Sequence, residues 1–129
     1  YKVASAIALA RSLSSATGRP VVPVFWLQAD DHDYEEVRSV LLPAEESEPI
    51  RLELPKGAFQ DERVSVGRRV VPDAVKDLIT VLEERTGASA GTVRDSYRPE
   101  ESFLGAFTAL VSRMFEGSSL LFYNPLHPA

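Results

Sequence analysis

The stretch from Val21 to Glu36, VVPVFWLQADDHDYEE, limits what this chain can fold into more than any other. Val21–Leu27 runs for seven residues without a polar side chain. A short, wholly apolar run of this kind suits a strand buried on both faces, as in a parallel sheet. Asp30, Asp31, His32 and Asp33 follow almost at once. Open α/β sheets bind their ligands at the carboxyl ends of their strands. A buried strand that runs into a cluster of ionisable groups therefore marks this turn as the functional centre.

The rest of the chain arranges itself around that strand. Val3, Ala6, Ile7, Ala10 and Leu13 recur at helical spacing over Tyr1–Ser15, and Gly18 stands where a helix would stop. Pro23 cannot donate to a ladder, so the strand is irregular at its start and best paired over Val24–Leu27. Asp33 with Glu36 has the spacing of a capping box for a short turn over Tyr34–Arg38. Strands are expected at Ser39–Leu42, at the alternating Ile50, Leu52 and Leu54, and at Val64 and Val66. These make a small antiparallel excursion over residues 39 to 71, with an acidic turn at Pro43–Pro49 and with Pro55, Gly57 and Gly67 in its turns. Helices are expected over Asp73–Arg85, Ala88–Tyr97 and Glu100–Glu116, the last with Phe103, Phe107, Leu110, Val111 and Met114 on one face. The strand Leu120–Tyr123 then breaks at Asn124-Pro125. Both ends of the chain thus read as helix, buried strand, polar loop. The reading is a single α/β domain with two neighbouring parallel strands, and residues 43–98 inserted between them as a connecting segment.

Composition trims the list of functions. A net charge of −5 over 129 residues, with no basic stripe, argues against nucleic acid as a partner. The longest apolar run is too short to span a bilayer. Without cysteine there is no disulfide, no thiolate nucleophile and no Cys-based zinc site, which fits a cytoplasmic protein. The chain starts at Tyr1, so the natural start is expected upstream.

Chemistry concentrates in the DDHD turn. Carboxylates on either side of His32 can fix its ring, and an imidazole so placed binds an anion or shuttles a proton. The carboxylates of Asp30, Asp31 and Asp33 could also hold a substrate ammonium group. Asp33 equally fits a plain helix cap, with Asp30 and Asp31 solvated. Asn124 and His127 leave the second strand at the end where the DDHD turn leaves the first, although a loop histidine beside prolines is also an ordinary surface residue. Asp31, His32, Asp33 and His127 are candidate metal ligands for a metal-dependent hydrolase, but adjacent residues rarely converge on one ion and no H-x-x-x-H or Cys partner supports them. No metal is expected. Phe25 and Trp26 read as core, and Arg68-Arg69 as a solvated pair. No phosphate loop, G-x-S-x-G or H-E-x-x-H occurs. A non-catalytic α/β module that docks a partner through its acidic turn is the remaining alternative.

At Pro20 to Trp26, followed by Asp31, His32, Asp33, Tyr34 and Glu36, the chain resembles the cysteine-adding enzymes of bacillithiol biosynthesis, the BshC family. Tyr1-Lys2 matches the family's helix start, and the helix Phe103–Phe115 with LLFYNPLHPA resembles its aromatic-rich helix and second strand. Asp30 stands where the family usually has Glu, a reach shorter by one methylene. The resemblance implies a Rossmann-like core that adds L-cysteine to the amine of glucosaminyl-malate, forming an amide, with ATP expected by analogy with other cysteine-adding enzymes. It implies catalytic roles for His32, Asp31 and Asp33 and substrate binding by Asp30, Asn124 and His127. Family members are longer, with a glycine- and glutamine-rich loop before the residue matching Tyr1 and a coiled coil beyond the end. The stretch is therefore expected to be inactive alone, and any homodimer to form through regions outside it.

Overall fold

The computed structural model describes residues 1–43, 48–56 and 63–127. Glu45, Glu46 and Ser47 of the acidic turn, and the turn residue Gly57, lie outside them. Two parallel strands organise the fold: β1 (Val24–Trp26) pairs with β4 (Leu121–Tyr123), Val24 facing Leu121, Phe25 facing Phe122 and Trp26 facing Tyr123. Leu27 extends the ladder by donating to the Tyr123 carbonyl at 2.9 Å.

Helices α1 (Lys2–Thr17) and α5 (Phe103–Met114) pack on one face of this pair. Val3, Ile7 and Val111 meet Phe25, Phe115, Leu120 and Phe122 there. The small residues of α1 let it sit close, and Gly18 ends it in the left-handed conformation at φ 65°, a cap that glycine adopts without strain. Ser102 starts α5 by accepting from the Gly105 amide at 2.9 Å.

The other face of the strands is bare. Val24, Trp26, Leu121 and Tyr123 are 59, 63, 56 and 48 % exposed, with the Trp26 and Tyr123 rings 4.4 Å apart. The apolar run of Val21–Leu27 is thus not buried on both faces as its composition suggested, and Trp26 is not core. Among the described residues helices cover one face only, and an apolar sequence records what a strand is suited to meet rather than what the chain itself provides.

The segment between the strands folds on its own small core. β2 (Ser39–Leu42) and β3 (Ile50–Glu53) pair antiparallel, as their alternation predicts, with Leu52 and Leu54 buried. Val64 and Val66 do not form a strand. Val66–Arg68 is a single 3₁₀ turn, spent on bonds to the loop after β1 rather than on a ladder. Helix α3 (Val75–Thr86), a 3₁₀ turn at Gly87–Ala90 and α4 (Gly91–Ser96) follow. Tyr34, Leu54, Val71, Val75, Ile79, Phe103 and Ala106 form one cluster, so α5 serves both cores. Arg69, read from the sequence as solvated, is buried and lies 5.6 Å from the Tyr34 ring centroid. Among the described residues no helix is long and apolar enough to cross a membrane.

Helix α2 (Tyr34–Val37) is tied to β3 through Arg38, whose guanidinium pairs with Glu35 at 2.8 Å and with Glu53, and donates to the Leu54 carbonyl at 2.9 Å. The hydrogen bond from Arg38 holds the Glu35 carboxyl below its ordinary value. A depressed carboxylate stabilises the fold above its unfolded value, about 4.3, and that contribution disappears as the pH falls through the lower folded value. Unfolding midpoints measured from pH 7 to pH 3 should drop in that acid window, and Glu35→Gln should flatten the fall. An unchanged acid profile in Glu35→Gln would show the clamp to be inert.

Candidate functional site

The loop after β1 is built by three sets of hydrogen bonds, each donated by backbone amides. The Val66 and Gly67 amides donate to the carbonyls of Asp31 (2.7 Å) and Ala29 (3.1 Å), which bolts the loop to the 3₁₀ turn. Gly67 has to be glycine, because a Cβ there would lie 2.7 Å from both the Ala29 Cβ and the Ala29 carbonyl oxygen. Asp33 caps α2 by accepting from the Glu36 amide at 3.3 Å. The capping box closes differently from its sequence pattern: the Asp33 amide donates to Asp31 Oδ1 at 3.0 Å, so Asp31 takes the part expected of Glu36.

These bonds decide what each residue can offer. Asp31 and Asp33 each commit one oxygen to a backbone amide and are exposed, so each keeps a second oxygen for a ligand. His32 stands between them, exposed, with its carbonyl accepting from the Tyr34 amide at 2.9 Å. Asp30 is exposed as well. On the neighbouring strand, Asn124 Oδ1 accepts from the Leu126 amide at 2.9 Å, forming an Asx turn, and the His127 amide donates to the Asn124 carbonyl at 3.2 Å. Because Trp26 and Tyr123 are register partners in a parallel pair, the loops carrying Asp30–Asp33 and Asn124–His127 leave adjacent strands at the same end. Among the described residues no group of three or more His, Cys, Asp or Glu is placed to hold a metal ion.

A cleft of about 510 Å³ lies at the same end of β1, and sequence reasoning did not find it. Phe25, Phe103 and Phe107 give it apolar walls, and Lys2, Gln28 and Tyr97 add polar groups. Burial pushes the Tyr97 phenol above its ordinary value. Lys2 comes from the first turn of α1 and Phe103 and Phe107 from the first half of α5, so two helix N-terminal ends meet at the carboxyl end of the sheet. The i, i+4 pair Phe103 and Phe107 was visible in the sequence, but helical spacing does not distinguish a core face from a cleft wall.

Comparison with known proteins agrees with this fold. The family described as Bacillithiol biosynthesis BshC, N-terminal Rossmann-like domain, matches the chain over residues 1–129. The BshC protein of Salinibacter ruber is 33 % identical over 97 % of the chain, and that of Symbiobacterium thermophilum is 36 % identical over 100 % of it. The BshC protein of Bacillus velezensis is 27 % identical over 99 %. All three carry the provisional name of cysteine ligase. The chain covers 24, 26 and 25 % of their lengths, so it spans about a quarter of the relatives it matches.

Proposed function

Because the chain belongs to the family of BshC N-terminal Rossmann-like domains, we propose that it is the Rossmann-like part of a ligase that joins L-cysteine to the amine of glucosaminyl-malate through an amide bond. The observation that supports this reading most is the parallel register of β1 and β4, which sends an Asp-His-Asp loop and an Asn-His loop out of one sheet end beside an apolar cleft. That is where an open α/β sheet takes its ligand.

The roles follow from what each group has left to offer. The free carboxylate oxygens of Asp31 and Asp33 hold the incoming amine or orient His32, and Asp30 adds negative charge for the same cation. His32 donates to the reacting carboxyl oxygen or gives it a proton. Asn124, whose side-chain oxygen is spent on its own turn, offers its amide N–H groups, and His127 adds a further hydrogen bond at the same sheet end, both from outside the lining of the cleft. Amide formation from a free carboxylate is uphill in water, and ATP is the co-reactant that would supply the activation. The cleft suits a flat apolar group against Phe25 and Phe107. Lys2 is the cation among the described residues lining it, so most of a triphosphate's charge would be met by other parts of the protein.

The test is the full-length enzyme mixed with L-cysteine, glucosaminyl-malate and ATP, with the condensed product followed by mass spectrometry. A product heavier than glucosaminyl-malate by one cysteinyl residue is expected. Its absence from a folded full-length enzyme would overturn the reading.

A further inference from the structure

The loop that carries Asp30–Asp33 and the start of α5 are both fastened to one short segment, residues 66–71. Its first half holds the loop, through the Val66 and Gly67 amides on the carbonyls of Asp31 and Ala29. Its second half pairs antiparallel with the residues that open α5. Val70 bridges to Ser102, the Val71 amide donates to the Glu101 carbonyl at 2.8 Å, and the Phe103 amide donates to the Arg69 carbonyl at 2.9 Å. Arg69 stands where the two halves meet. Its backbone takes the bond from Phe103, and its guanidinium carbon lies over the Tyr34 ring, 5.6 Å from the centroid and within the range of a cation–ring attraction. Tyr34 directly follows Asp33 and is buried. Its ring also meets that of Phe103 edge-on, with the centroids 6.1 Å apart and the planes at 74°. Arg69, Tyr34 and Phe103 thus close a triangle with one corner at the end of the loop and another, Phe103, on the wall of the cleft.

We propose that Arg69 is a positioning residue, which fixes the Asp30–Asp33 loop relative to the Phe103 wall of the cleft by holding the Tyr34 ring. The bonds inside the loop, from the Asp33 amide to Asp31, from the Tyr34 amide to the His32 carbonyl and from the Glu36 amide to Asp33, give it a shape but not a place. Its place is set from outside, by Val66 and Gly67 near its start and by the seat of Tyr34 at its end. Arg69 governs that second end. It does not line the cleft, so it acts through Tyr34 rather than on a ligand. Packing alone does not call for an arginine here. Arg69 is 6 % exposed, and burying a guanidinium costs more than burying an apolar side chain of like size. A flat cation that rests on an aromatic ring is what arginine adds over an apolar residue.

The effect on rate rests on the ligase reading; the effect on the loop does not, and hydrogen exchange measures it without activity. In the full-length protein, Arg69→Met should quicken exchange of the Asp33, Glu36 and Val66 amides by about tenfold to thirtyfold, the factor lost with a desolvated cation–ring contact. The Ile7 and Ala10 amides of α1, a helix of the other core, should keep the parent rate. Arg69→Lys keeps the charge without the flat guanidinium and should lie between, about threefold faster than the parent. It carries the test if Arg69→Met does not fold. Loop amides that exchange at the parent rate in the variants that fold would overturn the proposal. So would Ile7 and Ala10 quickening to the same degree, since Arg69 would then support the fold as a whole. In the same enzyme, kcat for amide formation should fall by about 10²-fold in Arg69→Met. Because Arg69 works by placing the loop, adding Arg69→Met to His32→Ala should lower kcat by far less than a further 10²-fold, and losses that multiply in full would overturn it. A parent enzyme that forms no amide would overturn the ligase reading instead, with the exchange rates still deciding the role of Arg69.

Discussion

On the proposed ligase reading, His32→Ala in the full-length protein is expected to lower kcat for amide formation by about 10²- to 10⁴-fold, the usual contribution of a positioned acid or base. The fold should survive the change. His32 is exposed, and its part in the loop is carried by its backbone carbonyl, which alanine also has. A matching circular-dichroism spectrum and melting midpoint would confirm that. The comparison of kcat with KM separates two roles. If His32 only binds an anionic part of the substrate, KM rises and kcat holds; if it gives a proton to the reacting oxygen, kcat falls and the pH–rate profile loses one limb. Asp31→Asn makes a useful companion, because the amide oxygen can still accept from the Asp33 amide while the charge is gone. A fall in rate with the loop intact would assign Asp31 to the chemistry rather than to the turn. A His32→Ala enzyme that ligates at the parent rate would remove His32 from the mechanism.

Most of what can be read from the sequence is local, the pairing of the two parallel strands being the exception. The helices were legible because their apolar residues repeat at helical spacing, and Gly18 could be read as a stop because a left-handed residue follows the last turn of α1. The parallel partnership of β1 and β4 was legible from the shared order of helix, apolar run and polar loop at the two ends of the chain. Most of the failures are long-range. Val64 and Val66 alternate like a strand, but the Val66 amide goes to Asp31, thirty-five positions earlier, and no local pattern announces that bond. Arg69 looks solvated beside Arg68, yet its place over the Tyr34 ring depends on how two distant segments meet. Trp26 reads as core because aromatic side chains are more often buried than not, yet the described residues cover only the other face of its strand. The cleft was invisible because its walls come from α1, β1, the 3₁₀ turn and α5. In the site itself, the residue types and the shared sheet end were legible, while the division of labour was not. Only the structure shows that Asp31, rather than Glu36, completes the cap.

Gly67→Ala is the substitution expected to damage both the fold and the site. Gly67 does not need a left-handed backbone, so alanine faces no conformational penalty there; the cost is contact. The new methyl would sit 2.7 Å from the Ala29 Cβ, 2.7 Å from the Ala29 carbonyl oxygen and 3.1 Å from its Cα. Backbone atoms cannot swing aside as a long side chain can, so the 3₁₀ turn must move away from the loop after β1. That movement stretches the bond from the Gly67 amide to Ala29 and strains its neighbour from Val66 to Asp31. Overpacking of this kind costs about 1–3 kcal/mol, and each lost buried hydrogen bond adds about 1 kcal/mol. Chemical denaturation should therefore show a loss of about 2–4 kcal/mol. Since the same two bonds hold the backbone that presents Asp30–Asp33, ligation should weaken even at temperatures where the variant stays folded. A second change tests the cause. Ala29→Gly removes the methyl contact and leaves the carbonyl one, so the double variant should regain part of the lost stability but not all of it. If Gly67→Ala melts with the parent, or if Ala29→Gly restores nothing, the turn is not wedged against the loop after β1 in the way the contacts require.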